Sequence, residues 1–172
     1  MKETAQGLYH SLENQRWSFL DRGRTSSELT IPYIMPPDGH NYATKYYTPY
    51  QGVGARGVNN LASKLLLALL PPNAPFFRLV IDRYELDKAK QELGPEGGEQ
   101  LRSDLEKALA DVERSVSQEV EVEAFRVGVF EALKNLLVTG NTLLYLPDEG
   151  GMRVFRLDRY VVKRDPMGNV TH

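Results

Sequence analysis

The chain has 172 residues, enough for one domain with its own core, and a content of 41% apolar and 26% charged residues excludes a wholly disordered chain. A formal net charge of -2 excludes an overall basic field that would drive nucleic-acid binding. The absence of cysteine excludes disulfides, thiolate nucleophiles and Cys-type zinc sites, and permits a reducing compartment.

The N-terminal stretch lacks a basic-then-apolar signal pattern. The longest apolar run, Leu65 to Leu70, is far shorter than the ~20 residues of a membrane span. The expectation is a soluble intracellular protein with no membrane partner.

Residues 3–22 are predicted helical. Ala5, Leu8, Leu12 and Phe19 recur at helical spacing, Trp17 and Leu20 widen the face, and Gly23 is the expected helix end. Gly7 inside the pattern costs roughly 1 kcal/mol against Ala. Residues 24–51 are predicted irregular, with prolines at 32, 36, 37 and 49 and one short edge strand in "LTIPYIMPP". Four tyrosines follow: Tyr42, Tyr46, Tyr47 and Tyr50. Three readings stand for them: packing on their own core, a subunit interface, or stacking on nucleic-acid bases beside Lys45.

Residues 53–70 read as a helix. Leu61, Leu65 and Leu69 share a face, and Val58, Ala62 and Leu66 lie beside it. Its second half is apolar almost all round, which predicts burial. Pro71-Pro72 stops it, and "FFRLVI" (76–81) is a strand candidate. A short helix over 83–93 precedes a breaker cluster from Gly94 to Gly98.

A long helix is predicted from about Glu99 to Thr139. Leu101, Leu105, Ala108, Val112, Val116 and Val120 form one stripe, and Phe125, Val129, Leu133 and Leu136 form a second. β-branched residues and a glycine between Val122 and Gly128 predict a bend there, and Gly140 ends the helix. The tail reads as β: "NTLLYLP" (141–147), a turn at Asp148 to Gly151, "MRVFRLD" (152–158), "YVVKRD" (160–165), the turn sequence "PMGN", and a returning "VTH". The strand pattern breaks off where its partner should continue, which suggests that residues 1–172 are the front part of something longer. The predicted class is α+β, with the 53–70 helix and the long bent helix packed on a small, mostly antiparallel sheet.

"GVGARG" (52–57) fits G-x-G-x-x-G. A dinucleotide cradle needs a buried strand before the glycines and an acid about 20 residues after them. "YYTPYQ" supplies no such strand, and position 77 is Phe77, with Asp82 the nearest acid. Gly52, Gly54 and Gly57 are therefore read as a lead-in and helix start; a nucleotide-binding enzyme is the minor alternative. No Gly-Lys pair makes a Walker-type loop, and no serine stands at nucleophile-elbow spacing. His10, His40 and His172 have no metal-binding spacing, and Asp148 with Glu149 reads as a solvated turn. No catalytic, cofactor or metal site is expected.

Charge is uneven. Residues 85–123 carry twelve acids against five bases, most simply the solvated face of a helix, with repulsion of or weak contact with a polyanion as the alternative. Arg153, Arg156, Arg159, Lys163 and Arg164 are the candidate DNA contacts, because Arg and Lys neutralise phosphate; strand alternation would split them between two faces.

The blocks "YYTPYQGVGARGVNNLASKLLLALLPPNAPFFRL", "FRVGVFEALKNLLVTGNTLLYLPD" and "YVVKRDPMGNV", in this order, resemble the N-terminal region of head-to-tail connector (portal) proteins of short-tailed bacteriophages. The resemblance covers nearly the whole chain. It implies a structural, non-enzymatic virion protein without cofactors. Such a protein forms a ring of about a dozen copies at one capsid vertex, through which double-stranded DNA is packaged and ejected. It implies as partners the packaging motor (terminase), the major capsid protein, scaffolding protein and tail proteins, with the host cytoplasm as the place of assembly. Residues 1–172 would hold the first part of the α/β wing region, without the stem, clip or crown. An exposed edge beginning at Val170 is then expected in the isolated piece. The remaining alternative is a small virion adaptor that forms no ring.

Overall fold

The computed structural model describes residues 4–41, 43–46, 51–72, 74–122, 124–148 and 150–171. Among these residues five helices occur in chain order: α1 (Ala5–Gln15), α2 (Trp17–Leu29), α3 (Val53–Leu69), α4 (Arg83–Val122) and α5 (Phe125–Thr139). Two short strands follow, β1 (Leu143–Tyr145) and β2 (Arg153–Phe155), together with 3-10 turns at Pro32–Ile34 and Leu157–Arg159. The class is α+β: mainly helical, with a two-stranded antiparallel sheet in which Leu143 faces Phe155, Leu144 faces Val154 and Tyr145 faces Arg153. The chain divides into two compact units, Met1–Leu66 with Val127–His172, and Leu67–Arg126.

In the first unit, the Thr4 hydroxyl opens α1 by accepting from the Gly7 amide at 3.3 Å. The predicted 3–22 helix is divided at Arg16, where φ -94 and ψ 3 leave the helical range. Gly23 does not end a helix. It lies buried inside α2, where a Cβ would meet the Met35 sulfur at 2.8 Å, so its small size serves close packing. "LTIPYIMPP" forms no strand: α2 runs to Leu29, and Pro32 starts a 3-10 turn. The buried Ser27 hydroxyl donates to the Ile31 carbonyl at 2.8 Å and accepts from the Met35 amide at 3.0 Å, pinning that turn against the helix it leaves.

The core gathers around this turn. Ile31, Ile34 and Val138 form its buried cluster, with Ala55 and Val58 of α3 packed against it. Helix faces and the 3-10 turn meet in this cluster. Ala132, Leu133, Asn135 and Val138 are the buried residues of α5. Leu133 is 7% exposed, and Leu133→Ala is expected to cost about 2–5 kcal/mol in urea unfolding. A loss below about 0.5 kcal/mol would contradict this placement. Gly140 ends α5 as expected, at φ 78, its amide donating to Leu136 O at 2.9 Å.

In the second unit, α4 covers both the predicted 83–93 helix and the stretch beyond it, with non-helical backbone at Gly94 (φ 77). The expected bend near residue 122 is a full break: α4 stops at Val122, α5 begins at Phe125, and Ala124 holds a left-handed φ of 51. "FFRLVI" forms no strand; its Leu79 amide donates to the Glu113 carboxylate at 2.6 Å, a side chain taking the place of a ladder partner. The predicted burial of the apolar half of α3 fails for Leu67 and Leu69, which are 57% and 55% exposed. No helix among the described residues is long and apolar enough to cross a membrane.

Candidate functional site

The glycine segment is the N-terminus of α3. The Gln51 side chain accepts from the Val53 amide at 2.8 Å, occupying a donor that a bound phosphate would use. The Gly52 carbonyl accepts from Arg56 N at 3.0 Å. Gly54 meets the end of α2: a Cβ there would lie 2.6 Å from the Leu29 carbonyl oxygen and 3.2 Å from Thr30 Cγ2. Around Gly52 and Gly57 a Cβ would meet nothing within 4 Å. One glycine thus serves a close helix approach, and two face open space.

The candidate DNA contacts lie in the tail. Arg153 begins β2, and Arg156 follows it. Asp158 is their local hub, accepting from Arg156 Nη2 at 3.1 Å and lying 3.6 Å from Arg159 Nε. The structure therefore brings Arg156 and Arg159 together on one carboxylate. The Arg164 guanidinium donates to the Gly168 carbonyl at 3.0 Å. Arg153 and Lys163 are exposed and form no ion pair among the described residues. Strand alternation governs Arg153 alone, because the other four fall outside β2.

The "PMGN" turn closes as expected, with a bridge between Arg164 and Val170. Asp165 holds it: its Oδ1 accepts from the Asn169 amide at 2.8 Å and its Oδ2 from Asn169 Nδ2 at 3.0 Å. These bonds, the side-chain one foremost, hold the Asp165 carboxyl below the ordinary aspartate range. Their contribution is present above the ordinary value and is lost as the pH falls through the depressed one. Amide resonances of Gly168 and Asn169 are expected to shift together below that range. Shifts completed in the ordinary aspartate range would contradict the account.

Of the tyrosine group, Tyr46 bonds its hydroxyl to His40 Nε2 at 3.0 Å; Tyr42, Tyr47 and Tyr50 lie outside the described residues. His10 stands 3.5 Å from Glu13, and His172 lies outside the described residues. Among the described residues no group of three or more acids and histidines is placed to hold a metal ion.

Two arginines that no motif marked organise the chain locally, Arg16 in the first unit and Arg126 in the second. Arg16 Nη1 donates to Leu157 O at 2.6 Å and to Tyr160 O, and Nη2 donates to Asp158 O at 3.3 Å. The N-terminal helices are thereby fixed to the tail. Burial raises the Tyr160 phenol above its ordinary value, with Arg16 and Arg164 pulling the other way. Arg126 caps the end of α3 through the Leu70 and Pro71 carbonyls and pairs with Glu121 at 2.7 Å. Their only signal in sequence is position, each at a break between helices.

Among the described residues, the converging polar groups of Arg16, Arg126 and Asp165 hold backbone carbonyls and turns. The chain matches the family described as bacteriophage head to tail connecting protein over residues 2–172. It is 44% identical to the portal protein of Escherichia phage T7, with 98% of this chain and 31% of the relative covered. Against the portal protein of Enterobacteria phage T3 the identity is 42%, with the same coverage of 98% and 31%. Against that of Pseudomonas phage phiKMV it is 32%, covering 98% and 32%. The chain thus spans about a third of the length of these curated relatives. The match runs through every element described above, from α1 to the closing turn, and the chain belongs to the bacteriophage head-to-tail connecting protein family.

Proposed function

We propose that this chain is part of a portal subunit, a structural virion component that assembles into a ring of about a dozen copies at one capsid vertex. Double-stranded DNA passes through the ring during packaging and ejection. The packaging motor docks on it first and the tail afterwards, with the capsid shell and scaffolding protein as its other neighbours, so assembly takes place in the host cytoplasm. The described residues contribute to the peripheral wing.

The observation that carries this reading is agreement over 98% of the chain with proteins named for the portal, at 44% and 42% identity. The α3 N-terminus, filled by Gln51, supports a scaffold over a nucleotide-binding enzyme. Disrupting the gene in its phage tests the reading. Infected cells should accumulate heads empty of DNA, and a plasmid copy should restore filled ones. DNA-filled heads that lack only tails would contradict it and favour a small adaptor that forms no ring.

A further inference from the structure

Asp38 is followed by Gly39, and this is the single place in the sequence where Asp or Asn precedes glycine. The pair matters chemically because the Asp carboxyl carbon and the next residue's amide nitrogen can close a five-membered ring. A side chain on that next residue crowds the approach, and glycine has none.

The fold presents the pair in a tight turn. The Pro37 carbonyl accepts from the His40 amide at 3.2 Å, which makes Asp38 and Gly39 the two central residues. Gly39 holds φ 74, the left-handed value that a type II turn requires at its third position. The turn does not use the Gly39 amide, and nothing among the described residues accepts from it. Ring closure has no such hydrogen bond to break at that nitrogen.

The carboxylate, by contrast, is tied. Arg24 Nη2 donates to Asp38 Oδ1 from within α2. The Arg24 side chain is 24% exposed, and its Nε is buried without a partner among the described residues. A guanidinium so placed is costly to strip of its carboxylate. The pair opposes ring closure in two ways. It restricts rotation of the Asp38 side chain toward the Gly39 nitrogen. The reacting form is also the protonated carboxyl, which gives up the charge that Arg24 binds. All of these contacts lie within the first unit.

We infer that the Asp38–Gly39 bond is a site of spontaneous backbone isomerisation, and that Arg24 is its brake. The Gly39 nitrogen bonds to Asp38 Cγ, the nitrogen's proton and the carboxyl hydroxyl leave as one water, and a succinimide forms. One water then adds back. Where the bond from nitrogen to Cγ breaks, aspartate returns. Where the bond from nitrogen to the Asp38 main-chain carbonyl carbon breaks, the chain runs through Cγ as isoaspartate. Isoaspartate adds one methylene to the main chain and frees the former carbonyl carbon as the carboxylate, so neither the turn nor the Arg24 pair keeps its geometry.

Ageing the full gene product in warm, mildly acidic buffer tests this. After digestion, mass spectrometry with electron-based fragmentation separates isoaspartate from aspartate at each position. Isoaspartate should accumulate at Asp38 before any other aspartate of residues 1–172. Arg24→Gln should form it about two- to fivefold faster, the rate equivalent of losing one partly exposed ion pair. Arg22→Ala, on the same helix, should match wild type. Circular dichroism checks folding. Wild-type chain unfolded in urea gives a reading that needs no folded variant, and it should isomerise at Asp38 faster than the folded chain. Ageing at Asp38 no faster than at the other aspartates would overturn the site. A rate unchanged in folded Arg24→Gln, or equal in folded and unfolded wild type, would overturn the brake.

Discussion

Arg16→Ala is expected to lower the unfolding free energy by about 3 kcal/mol, since hydrogen bonds to a charged group each contribute about 1.5–3 kcal/mol and do not add fully. The Arg16 side chain is 11% exposed and donates to three carbonyls of the tail, those of Leu157, Asp158 and Tyr160. An alanine leaves these acceptors half-buried and unpaired. Arg16→Lys is expected to restore only part of the loss, because an ammonium lacks the fork that spans several carbonyls. Arg22→Ala is the control: that residue is exposed, its contacts among the described residues are to Ser18 O and the Phe19 ring of its own helix, and it should change stability by no more than about 0.5 kcal/mol. Urea unfolding followed by the fluorescence of Trp17, the single tryptophan, reads all three variants. Equal effects at Arg16 and Arg22 would remove Arg16 from its structural role.

Gly54→Ala and Gly57→Ala should have opposite signs although both lie in α3. At Gly54 the added methyl would stand 2.6 Å from the Leu29 carbonyl oxygen, a backbone atom that cannot swing aside. Moving α3 away from α2 should cost about 1–3 kcal/mol or more. At Gly57 the methyl meets nothing within 4 Å, so only the helix preference remains, a gain of up to about 1 kcal/mol. Thermal unfolding of the two variants checks this. Equal losses at both positions would contradict this account of the two glycines.

What was legible in the sequence follows from which forces are local. Leucine spacing placed α3 within one residue of its observed end, and Gly140 marked the end of α5 because a left-handed cap is a requirement of one residue. The turn at Asp165 to Gly168 was legible for the same reason. Gly23 was misread because its cause is the Met35 side chain, twelve positions away in sequence and beside it in the fold. The division at Arg16 was hidden because arginine favours helix by propensity, and the carbonyls that hold it lie more than 140 residues on. "FFRLVI" has strand composition, but β structure needs a neighbour, and a helix carboxylate took that place. The stripes of α3 and α4 were read correctly as apolar faces. Periodicity says which side of a helix seeks burial; it does not say what covers that side, and Leu67, Leu69 and Val112 are exposed in the single chain. The candidate cations were visible by type, whereas the Asp158 that gathers Arg156 and Arg159 depends on the fold.

The most direct test of the central claim is native mass spectrometry on the product of the intact gene, isolated from its natural source. It reads the mass of one subunit and the number of copies together. The account expects a closed ring of about a dozen identical copies. A monomer or dimer across the concentrations at which heads assemble would contradict it, and would mean that this connector-family chain serves the virion without forming a ring.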